Sequence, residues 1–118
     1  MEVSQSTETR LKNPILKQYL HKARAQSVLT PEQERALAHK VRQGSGPAAD
    51  ALIDANFPYV VELAFRFENM GLGLPDLIAE GTVGLMGAVR TFDEREDGRF
   101  TPYALNAARK RIRAAIRA

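Results

Sequence analysis

The chain has 118 residues, with 17 Lys plus Arg, 14 Asp plus Glu, and no Cys or Trp, a size that fits one domain around a single core. Apolar residues make up 44% and charged residues 26%, which excludes a disordered chain. The lack of cysteine excludes a disulfide framework, a thiolate metal site and a cysteine nucleophile. No apolar run approaches the ~18 residues of a membrane span and no signal-peptide pattern opens the chain, so a soluble intracellular protein with no membrane partner is expected.

Residues 1–12 are polar without a sustained period and read as a flexible tail, leaving 13–118 as the domain. Helical spacing begins at Asn13-Pro14, a cap followed by a first-turn proline, with Ile15, Leu16, Tyr19 and Leu20 on one face. Thr30-Pro31-Glu32-Gln33 is a capping box that predicts a helix to about Gln43, which Gly44-Ser45-Gly46-Pro47 then breaks. From Ala48 to Met70, Leu52, Ile53, Val60, Val61, Ala64 and Phe67 recur at helical offsets. Pro58 interrupts them, and Asn56 is placed to cap a fresh start, so a kink or break near Asn56 is expected. A turn over Gly71–Asp76 leads into a helix over Asp76–Thr91 that carries Gly81, Gly84 and Gly87. Each internal glycine costs about 1 kcal/mol relative to alanine, so another backbone is expected to pack against that side. Asp93–Gly98 is an acidic loop, and Thr101-Pro102 caps the last helix. Nothing reads as a strand. The fold class is all-α, a compact bundle of about five helices.

The charge is uneven. Residues 1–98 carry 11 basic and 14 acidic side chains, whereas residues 99–118 carry six basic and none acidic. In the last helix, Leu105, Ala108, Ile112 and Ile116 form the expected buried stripe. Tyr103, Asn106, Lys110, Arg113 and Arg117 cluster on another side, with Arg109 on its flank and Arg111 elsewhere. Cations that neutralise phosphates beside an aromatic that stacks on a base make a nucleic-acid surface. The plain alternative is a solvated basic helix end that favours the C-terminal dipole. Asp76 and Glu80, four apart, place two carboxylates where a cationic partner helix can meet them. Met86 adds an adaptable apolar contact. His21 and His39 lie in different helices with no metal-ligand spacing or nucleophile motif nearby, and the helical glycines make no phosphate loop. The chain therefore reads as a protein with no enzymatic activity, cofactor or metal.

The run from Asp76 to Asp93, Asp-Leu-Ile-Ala-Glu-Gly-Thr-Val-Gly-Leu-Met-Gly-Ala-Val-Arg-Thr-Phe-Asp, resembles the region 2.2 signature of sigma-70 family factors. Flanking segments keep the family order. Asn13-Pro14 through Leu20 resembles the start of region 1.2, with Leu29–Glu34 as a later step. Leu52–Asn56 with Val60-Val61 resembles region 2.1, and Arg99–Ala104 the opening of region 2.3. The match covers about nine-tenths of the chain.

The resemblance implies a cytoplasmic subunit that binds bacterial RNA polymerase core and directs it to promoters. It implies that the region 2.2 helix grips the clamp helices of the β′ subunit, through Asp76, Ala79, Glu80, Thr82 and Met86. The region 2.3–2.4 helix would capture the non-template strand of the −10 element, through Arg99, Phe100, Tyr103, Asn106, Arg109, Lys110, Arg113 and Arg117. Sequence choice would come from bases flipped into pockets, and region 1.2 would touch DNA downstream. An anti-sigma regulator is a further implied partner.

Four departures stand out. Ala79 replaces a usual glutamine, and Phe57-Pro58 replaces the usual region 2.1 residues. Asn106 and Ala107 stand where housekeeping factors have paired tryptophans that wedge the duplex, and Pro102 is unusual. The sequence ends within the region 2.4 helix, before regions 3 and 4, as a domain of a longer factor or a stand-alone sigma-like protein would. Two further readings stand beside the initiator: a decoy that binds polymerase or a sigma regulator without opening promoters, and a duplex-binding protein independent of polymerase.

Overall fold

Thr30 builds the capping box its sequence calls for. Its hydroxyl accepts from Gln33 N at 3.1 Å, and the Gln33 side chain accepts from Thr30 N at 2.9 Å. The computed structural model describes residues 29–118. Their order is α1 (Pro31–Arg42), α2 (Gly46–Phe65), α3 (Leu74–Thr91) and α4 (Phe100–Arg117). No strand occurs among the described residues, so the class is all-α, with four helices there against about five expected for the chain. The expected tail over 1–12, the Asn13-Pro14 start, its apolar face and His21 lie outside the described residues.

The Gly44–Pro47 break is also a start. Ser45 Oγ accepts from Ala48 N at 3.1 Å and Pro47 sits in the first turn of α2. The expected break near Asn56 is corrected, because α2 runs unbroken through Pro58. An interior proline costs ~3 kcal/mol. The burial of Leu52, Ala55, Val60, Val61, Leu63 and Ala64 on the same helix offsets it. Asn56 is therefore not a cap. Its Nδ2 donates to Leu52 O at 2.8 Å, and its Oδ1 accepts from Thr101 Oγ1 at 2.6 Å.

α3 starts at Leu74, two residues before the expected Asp76, because Pro75 suits a first turn. A Cβ on Gly84 would lie 2.7 Å from Ala108 Cα and 2.8 Å from Ala107 O. One on Gly81 would lie 2.7 Å from Val60 Cγ1 and 3.3 Å from Ile112 Cδ1. The expected backbone approach thus holds at Gly84, while at Gly81 side chains fill the space. Gly87 faces nothing within 4 Å. The core joins Leu52, Val60 and Ala64 of α2 to Leu77, Leu85 and Val89 of α3 and to one stripe of α4. That stripe is Phe100, Ala104, Ala108 and Ile112; Leu105 and Ile116 are only partly buried. The expected stripe was therefore rotated toward the solvent side.

Two buried carboxylates hold the ends together. α4 begins at Phe100, one residue before the expected Thr101 cap, and its own N-cap residue Arg99 supplies no capping side chain. Glu34 of α1 does so from 66 residues away, with Oε2 accepting from Phe100 N at 2.8 Å and Arg99 Nε at 3.0 Å. A carboxylate there also opposes the positive end of the helix dipole. The acidic loop is a folded turn. Arg42 forks onto Glu94 at 2.7 and 2.6 Å, and Arg95 forks onto Asp93 at 3.0 and 2.8 Å.

Two variants test the α3–α4 contact. Gly84→Ala should destabilise the fold by roughly 1–3 kcal/mol, since backbone rather than a flexible side chain must move. Gly87→Ala should stabilise it by about 0.5–1 kcal/mol through helix propensity. Urea unfolding of the two reads the contrast, and equal effects would contradict the close approach.

The Arg42 hydrogen bond holds the Glu94 carboxyl at about 2, below its ordinary 4.5. Its folded pKa is depressed, so its stabilisation is complete above about 4.5 and fades as pH falls toward 2. The urea midpoint should fall across that window. Glu94→Gln should be less stable at neutral pH and should flatten the fall, leaving the smaller slope of groups such as Asp93, which Arg95 holds low.

Candidate partner and nucleic-acid interfaces

α3 turns Leu77, Gly81, Leu85, Ala88 and Val89 inward. The helical period therefore turns Asp76, Ala79, Val83, Met86 and Arg90 outward, and all five are exposed. Val83 and Met86 are two of the three large exposed hydrophobics among the described residues, at 46% and 45%. Asp76 makes no side-chain hydrogen bond or ion pair to any described residue. Thr82 lies at the edge of the stripe, partly buried, with its hydroxyl donating to Ile78 O at 2.7 Å. Glu80 is not on the stripe. It leans toward α4 and accepts from Arg111 Nε at 2.9 Å. The structure thus brings Asp76, Ala79 and Met86 together and sets Glu80 apart. Val83 was missed, although its spacing of four from Ala79 and three from Met86 is legible.

α4 sorts its cations by partner. Arg99 is tied to Glu34 and held above its ordinary pKa by that hydrogen bond, while Arg111 is tied to Glu80. Arg109, Lys110, Arg113 and Arg117 have no ion pair with a described residue. Asn106, Lys110, Arg113 and Arg117 are exposed, and Arg109 is partly so. Tyr103 is partly exposed, with its ring edge on Phe92 at a centroid distance of 5.2 Å. Phe100 is a correction. It is 0% exposed and packs edge-on against Phe92, so its ring anchors the core and offers no surface to a ligand.

A cavity of about 350 Å³ opens between α1, α2 and the start of α4, within the size range of small-ligand clefts. Glu34, Asn56, Tyr59, Arg99 and Thr101 line it together with Leu29 and Pro102. Four of its polar side chains are held by the Glu34–Arg99 and Thr101–Asn56 hydrogen bonds. Apart from Arg99, none of these residues was singled out as a site residue from the sequence. Asn56 within an apolar helix is the signal that could have pointed here, because a buried amide needs partners.

Among the described residues there is no group of three His, Cys, Asp or Glu able to hold a metal. His39 is exposed, and its Nδ1 lies 3.4 Å from Glu94 and 3.2 Å from Arg42 Nη2. No described helix is long and apolar enough to cross a membrane.

Both surfaces lie within a segment that matches a known family, and the segment before it matches another region of the same family. Residues 52–118, more than half of the chain, match the model of Sigma-70 region 2, and residues 15–45 match that of Sigma-70 factor, region 1.2. The chain is 38% identical over 109 residues to the RNA polymerase sigma factor RpoS of Coxiella burnetii, an alignment covering 92% of this chain and 31% of that protein. It is 37% identical over 90 residues to the RNA polymerase sigma-C factor of Myxococcus xanthus, covering 76% of this chain and 30% of that one. The chain thus spans about a third of the length of these relatives. With the region order kept and the helical fold that carries it in place, the chain belongs to the sigma-70 family.

Proposed function

We propose that this chain is a cytoplasmic transcription-initiation module that binds bacterial RNA polymerase core through the outer stripe of α3 and captures unpaired promoter DNA on α4. The observation that carries this is the pairing of two different free surfaces across one tight helix contact. An apolar stripe with an acidic end lies on α3, and four cations without a carboxylate partner among the described residues lie on α4. Asp76, Ala79, Val83 and Met86 face the clamp helices of the β′ subunit. Burying Val83 and Met86 supplies apolar area, and Asp76 sets charge complementarity. Lys110, Arg113 and Arg117, with Arg109 beside them, hold the phosphates of the non-template strand of the −10 element. Tyr103 stacks on a base, an interaction of ~1–3 kcal/mol. The cavity beside Arg99 takes a base flipped out of the stack, with the Asn56 amide and Thr101 hydroxyl near its edge.

A second reading is favoured by one feature. Asn106 is a small exposed polar residue and Ala107 a partly buried methyl, so neither presents an aromatic wedge to a duplex. A protein that fills the clamp, or engages a sigma regulator, without opening DNA is consistent with that.

Binding to purified bacterial core polymerase, in competition with a housekeeping sigma factor, tests the first half. Asp76→Ala and Met86→Asp are each expected to weaken it by about tenfold or more, and unaltered binding would remove α3 from the interface. Permanganate footprinting of promoter DNA then separates initiator from decoy: reactive thymines at the −10 element are expected, and core binding without them would establish the decoy. Replacing Lys110, Arg113 or Arg117 by Ala should flatten the salt dependence of single-strand binding by about 0.7 in log–log slope per residue. An unchanged slope would place the strand elsewhere.

A further inference from the structure

We infer that Thr91, the last residue of α3, is a positioning residue that fixes the Tyr103 ring before nucleic acid arrives. This rests on the reading that Tyr103 stacks on an unpaired base. Thr91 Oγ1 lies 2.7 Å from the Tyr103 hydroxyl and 3.2 Å from Gly87 O. A carbonyl oxygen can only accept, so the Thr91 proton goes to Gly87 O. The Tyr103 hydroxyl is then the donor in the shorter bond, at the usual O–H···O distance. Two hydrogen bonds in series therefore tie the tip of the ring to the backbone of α3. Phe92, the next residue along, holds its flank, with ring centroids 5.2 Å apart and planes at 64°. A ring held at tip and flank has little freedom left in χ1 and χ2, yet Tyr103 keeps part of its surface open.

Ordering a side chain on binding weakens an interface, and a side chain ordered beforehand avoids most of that loss. Thr91 itself is exposed at a helix end, so its hydroxyl contributes little to the fold. Its contribution lies in where it holds Tyr103. The contact also runs from the helix of the polymerase stripe to the helix of the DNA face, so the ring is registered against α3 and not against α4 alone.

The test compares Thr91→Val, which keeps the shape and removes the oxygen, with Thr91→Ser, which keeps the oxygen. Each is measured as the complex of the whole chain with bacterial core polymerase, binding a single-stranded oligonucleotide with a −10 non-template sequence. Thr91→Val is expected to bind roughly two- to tenfold more weakly, with Thr91→Ser restoring most of the loss and the thermal midpoint unmoved. Tyr103→Phe should show a loss of similar size, and adding Thr91→Val to it should cost nothing more, because the shared hydrogen bond is already gone. In the free chain, the NMR order of the Tyr103 ring should drop in Thr91→Val and not in Thr91→Ser. Additive losses, or wild-type binding by Thr91→Val, would overturn the positioning role while leaving the stacking role intact. Tyr103→Ala is the separate control. If it binds the strand as well as the parent, the stacking reading itself fails, and the positioning role with it.

Discussion

The approach of α3 to α4 at Gly84 is the constraint on which the rest of the molecule depends. Ala108 Cα and Ala107 O occupy the space where any other residue at position 84 would carry its Cβ. Packed helices usually keep their axes 8–10 Å apart, set by the side chains between them. Removing a side chain at the crossing lets two backbones meet. Neighbouring contacts follow from that meeting: Ile112 reaches the hollow at Gly81, Arg111 reaches Glu80, and Tyr103 reaches Thr91. Glycine lowers helix propensity, but tertiary contact outweighs propensity where the packing is this close. The consequence for function is geometric. The outer stripe of α3 and the cationic face of α4 become two surfaces of one rigid pair.

The buried carboxylates extend the same logic to the ends of the bundle. Glu34 is 2% exposed and Glu94 6%, and a charge removed from water is costly unless it is paired and hydrogen-bonded. Both are met by the fork of an arginine, and Glu34 also by a backbone N–H at the start of α4. These pairs sort the cations into two populations. Arg42, Arg99 and Arg111 are held by acids and define the fold or its edges. The cations on the outer face of α4 have no such partners among the described residues, and a polyanion is the chemistry that would supply them.

Local signals carried the helices. The capping box at Thr30, the glycine break after Gln43 and the 3.6-residue period each act over a few residues, so a linear reading finds them. Long-range partners were not legible. Nothing local says that Glu34 caps a helix 66 residues away, that Glu94 leaves the acidic loop for Arg42, or that Asn56 answers Thr101. For the same reason Pro58 read as a break: the backbone loss is local, whereas the burial that offsets it comes from other helices. The α4 stripe came out rotated because Leu105 and Ile116 are as apolar as the residues that are buried, and only the neighbour's position selects among them. Of the candidate site, the cationic face of α4 and the Asp76 carboxylate were legible in the residues themselves; Ala79 and Thr82 came only with the family resemblance, and Glu80, paired with Asp76 by its spacing, turns instead to Arg111. Phe100 came to the DNA face only with the family resemblance, which says nothing of its burial, and the cavity, assembled from three helices, leaves no linear trace beyond a lone amide in an apolar helix.

Charge and shape have separate tasks in the proposed DNA surface. Phosphate contacts from Arg109, Lys110, Arg113 and Arg117 would attract any strand, single or double, and would carry no sequence information. A preference for opened DNA must come from groups that a stacked, paired base cannot satisfy. Among the described residues two features meet that requirement: the half-open ring of Tyr103 and the cavity beside Asn56 and Thr101. Asn106 and Ala107 add no aromatic surface to them. An unpaired base bound as proposed would therefore meet two features already in place, one fixed by α3 through Thr91 and the other by α1 and α2 through Glu34 and Asn56. Under the proposed role, selectivity of α4 for opened strands would be a property of the other three helices, which hold its first two turns in position.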